Sequence, residues 1–135
     1  MNRRTIVATG FALSIFGSLS LAVSPARAAT EAPFTQAAFN EAQKAGKPIL
    51  VDTFAPWCPT CRAQAPIIKS AAQSMDNKDL VIFKIDFDSQ KAEQRGLNIR
   101  SQSTLIAFKG MTEVGRSVGA TDRASINALI AKTRP

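Results

Sequence analysis

The segment KPILVDTFAPWCPTCRAQAPII, residues 47–68, carries the only two cysteines among the 135 residues of the chain. Residues 49–54 are almost continuously apolar and include β-branched side chains, which predicts a strand buried on both faces. Beyond the cysteines, the spacing predicts a helix that Pro66 should bend. The apolar side of this helix is expected to contain Ala63, Ile67, Ala71 and Met75. Cys58 and Cys61 therefore lie where a buried strand passes into a helix.

Helical and strand-like patterns alternate on either side of this segment. Residues 33–46 predict a helix with Thr35 as its N-cap, a hydrophobic staple between Phe34 and Phe39, and Gly46 as its end. Residues 80–87 predict a second buried strand, parallel to the first.

The remaining segments complete one domain. Residues 89–95 predict a short helix that ends at Gly96, and residues 104–108 and 114–118 predict an antiparallel hairpin. Asp122 should cap a closing helix with an apolar stripe formed by Ile126, Leu129 and Ile130. We therefore predict an α/β fold with a mixed central sheet flanked by helices on both faces.

The first 28 residues have the pattern of an export signal. Two arginines precede an apolar run over residues 6–23, and Ala26-Arg27-Ala28 is a small-residue cleavage site. We predict cleavage after Ala28, a mature domain over residues 29–135 and a periplasmic location. The paired arginines also suit the twin-arginine route, and an uncleaved membrane anchor is the alternative.

Charge and composition exclude several function classes. The chain has 17 basic and 10 acidic residues, a net charge of +7. Without the three arginines of the predicted signal, 14 basic and 10 acidic residues leave +4. These charges are scattered, with no basic run or interleaved aromatic residues, which argues against nucleic-acid binding. The absence of histidine excludes imidazole bases, Cys-His pairs and histidine metal ligands.

The Cys-Pro-Thr-Cys motif can staple a fold, bind a metal or carry electrons. A disulfide between residues three apart closes a very small loop, so it would stabilise the fold little. Tetrahedral zinc needs four ligands, and one chain offers only two thiolates. A cuprous ion, or an iron–sulfur cluster shared between two chains, could be held by a single dithiol. Redox exchange is therefore the main hypothesis, and a non-enzymatic dithiol metal carrier is the alternative.

The redox hypothesis gives the two cysteines different roles. Cys58 lies at a helix start, where free amides and the helix dipole lower the pKa of its thiol and make it the attacking sulfur. Cys61 lies one turn later, shielded from substrate, and can resolve the mixed disulfide. Arg62 adds positive charge nearby. Trp57, beside an exposed site, is expected to form a rim against which a partner packs.

The segment quoted above resembles the active-site segment of the thioredoxin family. The shared features are the tryptophan before the first cysteine, the aspartate in the preceding strand and the proline within the helix. The resemblance continues through FKID (83–86), TLIAFKG (104–110) and VGA (118–120), and covers nearly all of the predicted mature chain. It implies a thioredoxin-like fold and thiol-disulfide exchange with protein partners, without a bound organic cofactor.

Two polar residues gain roles from this resemblance. Asp52 matches the buried aspartate of the family that takes the proton from the second cysteine, and Lys84 matches the lysine that modulates this aspartate. The position of Asp52 on an apolar strand independently predicts a raised pKa and proton exchange near neutrality. The alternative is that Asp52 and Lys84 form a structural ion pair.

The sequence departs from the family pattern at Ser103, where the family has a cis-proline facing the cysteines. A non-proline cis bond costs about 2.5 to 4 kcal/mol, so the Gln102-Ser103 bond is predicted to be trans. The change also removes a ring that, in the family, keeps metal from the dithiol. In the family, the residue before this proline pairs its backbone with the substrate. The candidate substrate-binding residues are Gln102 and Ser103 together with Trp57, Pro59 and Thr60.

The residues between the cysteines bear on the direction of electron flow. Pro59-Thr60 is neither the Gly-Pro of reducing thioredoxins nor the Pro-His of strong periplasmic oxidases. Because Thr60 offers no imidazolium to stabilise a thiolate, we expect a potential between these two classes. We predict a monomeric reductase of protein disulfides that is recharged by a membrane electron donor.

Overall fold

A computed structural model describes residues 28–135 of the chain. The predicted export signal falls on residues 1–27 and on Ala28, so it lies almost wholly outside the described residues. None of the helices in the described range combines the length and the hydrophobicity needed to cross a membrane.

Within the described part of the chain, five strands form one mixed sheet in the order β1-β3-β2-β4-β5. β2 pairs in parallel with β3 and antiparallel with β4, which places it at the centre; β1 is parallel to β3 and β5 antiparallel to β4. The predicted strands and the hairpin are therefore confirmed. The strands are β1 (Thr30–Pro33), β2 (Pro48–Phe54), β3 (Val81–Asp86), β4 (Thr104–Lys109) and β5 (Thr112–Val118).

The edge strand β1 was not predicted. Its sequence TEAP contains a glutamate and a proline and lacks the apolar run of a buried strand. Pairing with β3 holds it in place, and proline is tolerated in an edge strand because one side of the strand has no neighbour.

Between residues 28 and 135, three α-helices and one short 3₁₀ turn connect the strands, and a fourth α-helix follows the last strand. The predicted caps are confirmed: Thr35 accepts a hydrogen bond from the amide of Ala38, and Asp122 accepts one from the amide of Ser125. The predicted staple is also confirmed, since the rings of Phe34 and Phe39 lie 5.1 Å apart. The helices are α1 (Gln36–Lys44), α2 (Pro59–Ala72), α3 (Lys91–Gly96) and α4 (Arg123–Ala131), and the 3₁₀ turn is Met75–Asn77.

Apolar side chains fill both faces of the sheet, as a doubly covered sheet requires. One core packs strand residues against α2 and α4, and includes Leu50, Ile82, Ile67 and Ile130. The other packs strand residues against α1 and the end of α3, and includes Val51, Phe83, Phe39 and Ile99. The predicted α/β fold with helices on both faces is confirmed.

The predicted apolar side of α2 was partly wrong, although its Ile67 and Ala71 are buried. Ala63 and Met75 are exposed, because α2 turns a different side, containing Cys61 and Gln64, toward the sheet, and because Met75 lies beyond the end of the helix. The predicted end of α3 is confirmed, since Gly96 is its last residue, and the positive φ of 55° that follows the helix lies at Asn98. Asparagine tolerates that conformation better than most residues.

Candidate active site

Cys58 is the N-cap of α2. Strand β2 ends at Phe54, a three-residue turn follows, and the sulfur of Cys58 accepts the backbone N–H of Cys61 at 3.1 Å. Pro59 occupies the first helical position, where no N–H needs a partner. The local sequence thus places a sulfur where a capping oxygen usually lies, against the positive end of the helix.

Ser103 contacts both cysteines. Its hydroxyl oxygen lies 3.1 Å from the sulfur of Cys58 and 3.1 Å from the sulfur of Cys61. The sequence placed Ser103 opposite the cysteines only through the family resemblance. The structure brings it into direct contact with the two atoms that react.

Cys58 is more buried than the expected exposed site implied, whereas the burial of Cys61 agrees with its expected shielding. Cys58 is only 1% exposed and Cys61 is 7% exposed, so the first cysteine is not the more accessible one. The reason is that the sulfur of Cys58 faces the amide of Cys61 and the hydroxyl of Ser103. These protein groups replace the water that would surround an exposed thiolate.

The two thiols have opposite pKa shifts. Burial is the largest single influence on Cys58 and raises its pKa, but hydrogen bonds from Cys61, Ser103 and the amide of Thr60 together outweigh it, so the pKa lies below the ordinary value. Burial raises the pKa of Cys61, and its hydrogen bond to Cys58 raises it further. Cys58 is therefore the more readily ionised thiol of the pair and Cys61 the less readily ionised one.

The backbone of Ser103 is held in an unusual conformation. No peptide bond between residues 28 and 135 is cis, which confirms the predicted trans Gln102-Ser103 bond, but Ser103 has a φ of +62°. Its N–H donates to the carbonyl of Thr53 at 2.8 Å, and its carbonyl accepts from the amide of Gly119 at 3.0 Å and from Gln64 at 3.3 Å. A left-handed serine is uncommon and persists where surrounding contacts determine it. Gln102 is half-buried beside it.

Asp52 is buried next to Lys84. Its carboxylate lies 3.6 Å from the ammonium group of Lys84, which also lies 3.8 Å from the carboxylate of Glu31. Burial raises the pKa of Asp52; Lys84 opposes this effect without cancelling it, and Glu31 adds slightly to it. The raised pKa confirms the expectation drawn from its apolar strand. The ion pair is also present, so the structural alternative for Lys84 stays compatible with the geometry.

A cavity connects Asp52 to the second cysteine. It has a volume of about 150 Å³, and both Asp52 and Cys61 line it, together with Lys84 and Arg62. A water molecule needs only about 15 Å³ of such space and polar partners, which this lining supplies. The carboxylate can therefore exchange a proton with the Cys61 thiol through water.

The other predicted site residues surround the cysteines. Trp57 is 54% exposed, and its indole N–H donates to Asp88 at 2.9 Å, which fixes the ring at the rim of the site. Pro59 is exposed and Thr60 is half-buried. Arg62 donates to the carbonyl of Pro56 at 3.3 Å, and hence braces the turn before the helix.

Three residues that contribute to the site were missed by sequence reasoning. Gln64 is buried in α2 and ties it to Ser103 and to the carbonyl of Ala120, at 2.8 Å. Its polar side chain inside an otherwise apolar helical face was the signal available in the sequence. Asp88 and Glu31 lie on a turn and an edge strand, where acidic residues carry no particular signal.

Comparisons with known proteins place these features in one family. The family model described as thioredoxin matches residues 30–132. Thioredoxin 1 of Nostoc sp. is 36% identical over 111 residues, which cover 82% of this chain and 98% of that protein. The crystal structure of Trxlp from Edwardsiella tarda has 38% sequence identity and a TM-score of 0.72, covering 75% of this chain and 97% of the other.

Proposed function

The chain belongs to the thioredoxin family and is a thiol-disulfide oxidoreductase that acts on protein thiols and disulfides, and from this premise we propose that it works as an exported reductase. In this proposal, Cys58 attacks the partner, Cys61 resolves the mixed disulfide and Asp52 accepts the proton of Cys61. The observation that carries these assignments is the opposite protonation preference of two neighbouring thiols.

The proposed cycle transfers two electrons to the partner. The Cys58 thiolate attacks one sulfur of a partner disulfide, the partner S–S bond breaks, and the leaving thiolate takes a proton from solvent. Cys61 then passes its proton to Asp52 through water, and its thiolate attacks the sulfur of Cys58. A Cys58–Cys61 disulfide forms and the partner leaves with its second thiolate, so the partner is reduced and the enzyme oxidised.

The small exposure of Cys58 adds a condition to the first step. A disulfide exchange needs the attacking sulfur in line with the partner S–S bond, and Cys58 is almost covered. Partner binding against the exposed Trp57 rim must therefore be accompanied by a local movement that uncovers this sulfur. Pro59 and Thr60, on the first turn of α2, are the proposed contacts on the helix side, and Gln102 and Ser103 those on the loop side.

Trapping tests the order of attack. Cys61→Ser should accumulate mixed disulfides between Cys58 and partner proteins, because the resolving thiol is gone, whereas the matched variant Cys58→Ser should accumulate none. Partners trapped on Cys61 in the Cys58→Ser protein would reverse the assigned roles. Copper co-purifying with the wild type, without any trapped protein, would instead favour the metal-carrier alternative. Between residues 28 and 135 no group of three or more acidic or cysteine side chains is placed to hold a metal.

Location and direction of electron flow are separate parts of the proposal. The predicted signal supports export to the periplasm, where a reductase needs a membrane electron donor to return to its reduced state. Mass spectrometry of the protein recovered from that compartment should find Ala29 at its N-terminus. Equilibration with glutathione should give a potential between those of reducing thioredoxins and strong oxidases; a potential equal to that of strong oxidases would contradict the reductase assignment.

A further inference from the structure

The hydroxyl of Ser103 lies equally close to the two reacting sulfurs. Its oxygen is 3.1 Å from each, and Ser103 is only 3% exposed, so neither contact is shared with bulk water. Three hydrogen bonds hold the backbone of Ser103 in its left-handed conformation. Its N–H donates to the carbonyl of Thr53, and its carbonyl accepts from the amide of Gly119 and from the side chain of Gln64. The position of the hydroxyl is thus set by the fold.

The number of protons decides the direction of the two hydrogen bonds. A serine hydroxyl has one proton to donate and two lone pairs that accept. A Cys58 thiolate can only accept, while the protonated Cys61 can donate. Because a thiolate cannot donate, the single Ser103 proton points to Cys58. The oxygen of Ser103 is then left to accept the Cys61 S–H, for which the sulfur of Cys58 and the carbonyl of Thr53 at 3.9 Å are competing acceptors.

We propose that Ser103 is a catalytic residue of the dithiol, whose hydroxyl donates to the Cys58 thiolate while it accepts from the Cys61 thiol. This inference rests on the proposed roles of the two cysteines. This pair of hydrogen bonds, the Ser103 bridge, keeps one proton on Cys61 and the negative charge on Cys58 in the reduced enzyme before a partner binds. Ser103 keeps its own proton throughout, and no bond to it forms or breaks.

The bridge also affects the redox equilibrium. In the oxidised enzyme the two sulfurs are bonded to each other, and neither carries a charge or a proton for Ser103 to bind. The hydroxyl therefore stabilises the reduced form more than the disulfide form. Hydrogen bonds to charged groups are stronger than those between neutral groups, so the preference is largest where Cys58 is ionised. Ser103 should raise the reduction potential relative to a site without the hydroxyl.

Substitutions at Ser103 test the bridge through the ionisation of Cys58. Ser103→Ala and Ser103→Gly both remove the hydroxyl, and glycine adopts a positive φ without cost. Ser101→Ala is the matched control, since it removes a hydroxyl of the same loop that takes part in no described hydrogen bond to sulfur. Asp52, Lys84 and Arg62, which line the adjacent cavity, stay unchanged in all variants.

The readouts are the pH profile of Cys58 alkylation and the equilibrium with glutathione, both measured on the full mature protein. In the Ala and Gly variants, alkylation of Cys58 on the acidic side of its titration should slow about tenfold or more, the size expected for losing a hydrogen bond to a charged group. The equilibrium at neutral pH should move toward the disulfide by a similar factor. The Ser101→Ala control should stay within about twofold of the wild type.

Two results would overturn the bridge. One is an unchanged pH profile in both Ser103→Ala and Ser103→Gly, and the other is a Ser101→Ala control shifted as far as the Ser103→Ala variant. If Ala alone shifts the profile and Gly does not, backbone strain is the cause and the hydroxyl has no role. A wild type that alkylates as slowly as an ordinary buried thiol across the whole pH range would instead refute the proposed role of Cys58, which separates the two failures.

Discussion

The interior of the sheet and its active-site end, where the central strand β2 passes into α2, bury different kinds of side chain. The two cores contain aliphatic and aromatic residues on both faces of the strands. At the active-site end, β2, α2 and the residues that precede α2 and β4 bury two thiols, a carboxylate, a hydroxyl and an amide, contributed by Cys58, Cys61, Asp52, Ser103 and Gln64. Burial of each apolar group in the interior stabilises the fold, whereas burial of each polar group at the active-site end costs hydration free energy.

This difference shows where stability and chemistry are located. Burial of apolar area stabilises the interior without requiring exact partners. At the active-site end, hydrogen bonds and an ion pair offset only part of the cost of burying charged forms. The uncompensated part raises the pKa values of Asp52 and Cys61. Perturbed titratable groups close to one cavity are the usual physical signature of an active site. Substitutions should therefore separate the two regions by which property they change.

The largest expected effect comes from removing the attacking sulfur of Cys58 at the active-site end. Cys58→Ser should lower the rate of protein disulfide reduction at least about a thousandfold, because no thiolate replaces the nucleophile. Serine is itself a preferred N-cap, so its hydroxyl can accept the amide of Cys61 and keep the helix start intact. The free energy of unfolding in urea should hence change by less than about 1 kcal/mol. Residual activity above a few per cent, or a large loss of stability, would break the separation between the two regions.

The opposite result is expected in the interior. Ile82 is fully buried in β3, in the core that faces α2 and α4. Ile82→Ala should lower the free energy of unfolding by about 2 to 5 kcal/mol, and the matched Ile82→Val by about 0.5 to 1.5 kcal/mol. The pH profile of Cys58 alkylation should stay the same in both, under conditions where the proteins are folded. A shifted profile would mean that core packing and site electrostatics are coupled.

The same contrast explains what the sequence could predict. The strands, caps and both faces of the core follow from apolar periodicity and cap residues, and residues 49–54 alone established the central strand. The cysteines and Asp52 were found through motif spacing and family resemblance. The contact of Ser103 with both sulfurs depends on a positive φ and on hydrogen bonds to residues 39 and more positions away. No local pattern reports such contacts, and for the same reason Gln64 and the edge strand β1 were missed.

The third prediction uses the pH dependence of stability to sharpen the comparison at Asp52. Its folded-state pKa is raised by burial, so the folded protein resists ionisation of a group that is already ionised in the unfolded chain above about pH 4. The free energy of unfolding should therefore fall as pH rises from about 4 through the raised pKa. Asp52→Asn removes this titration, and its stability advantage over the wild type should grow across that window.

Urea unfolding of the two proteins at several pH values measures this difference. Lys84→Met is a useful companion, because loss of the ammonium group should raise the pKa of Asp52 further and extend the fall to higher pH. A difference between wild type and Asp52→Asn that stays constant with pH would show that Asp52 titrates normally in the fold. That outcome would also remove the physical support for Asp52 as the proton acceptor.

The smallest expected effect concerns Trp57 at the rim of the site. Its ring is about half exposed to solvent, so it is part of neither the buried interior nor the buried active-site end. Trp57→Phe keeps an aromatic surface for the partner and loses only the hydrogen bond to Asp88. An exposed bond of this kind contributes about 1 kcal/mol or less, so kcat/KM for a protein disulfide should fall no more than about fivefold. Asp88→Asn keeps an acceptor for the indole N–H, so kcat/KM should fall less in this variant than in Trp57→Phe. If Trp57→Phe lowers kcat/KM a hundredfold while Asp88→Asn does not, the indole itself, and not its fixed orientation, contacts the partner.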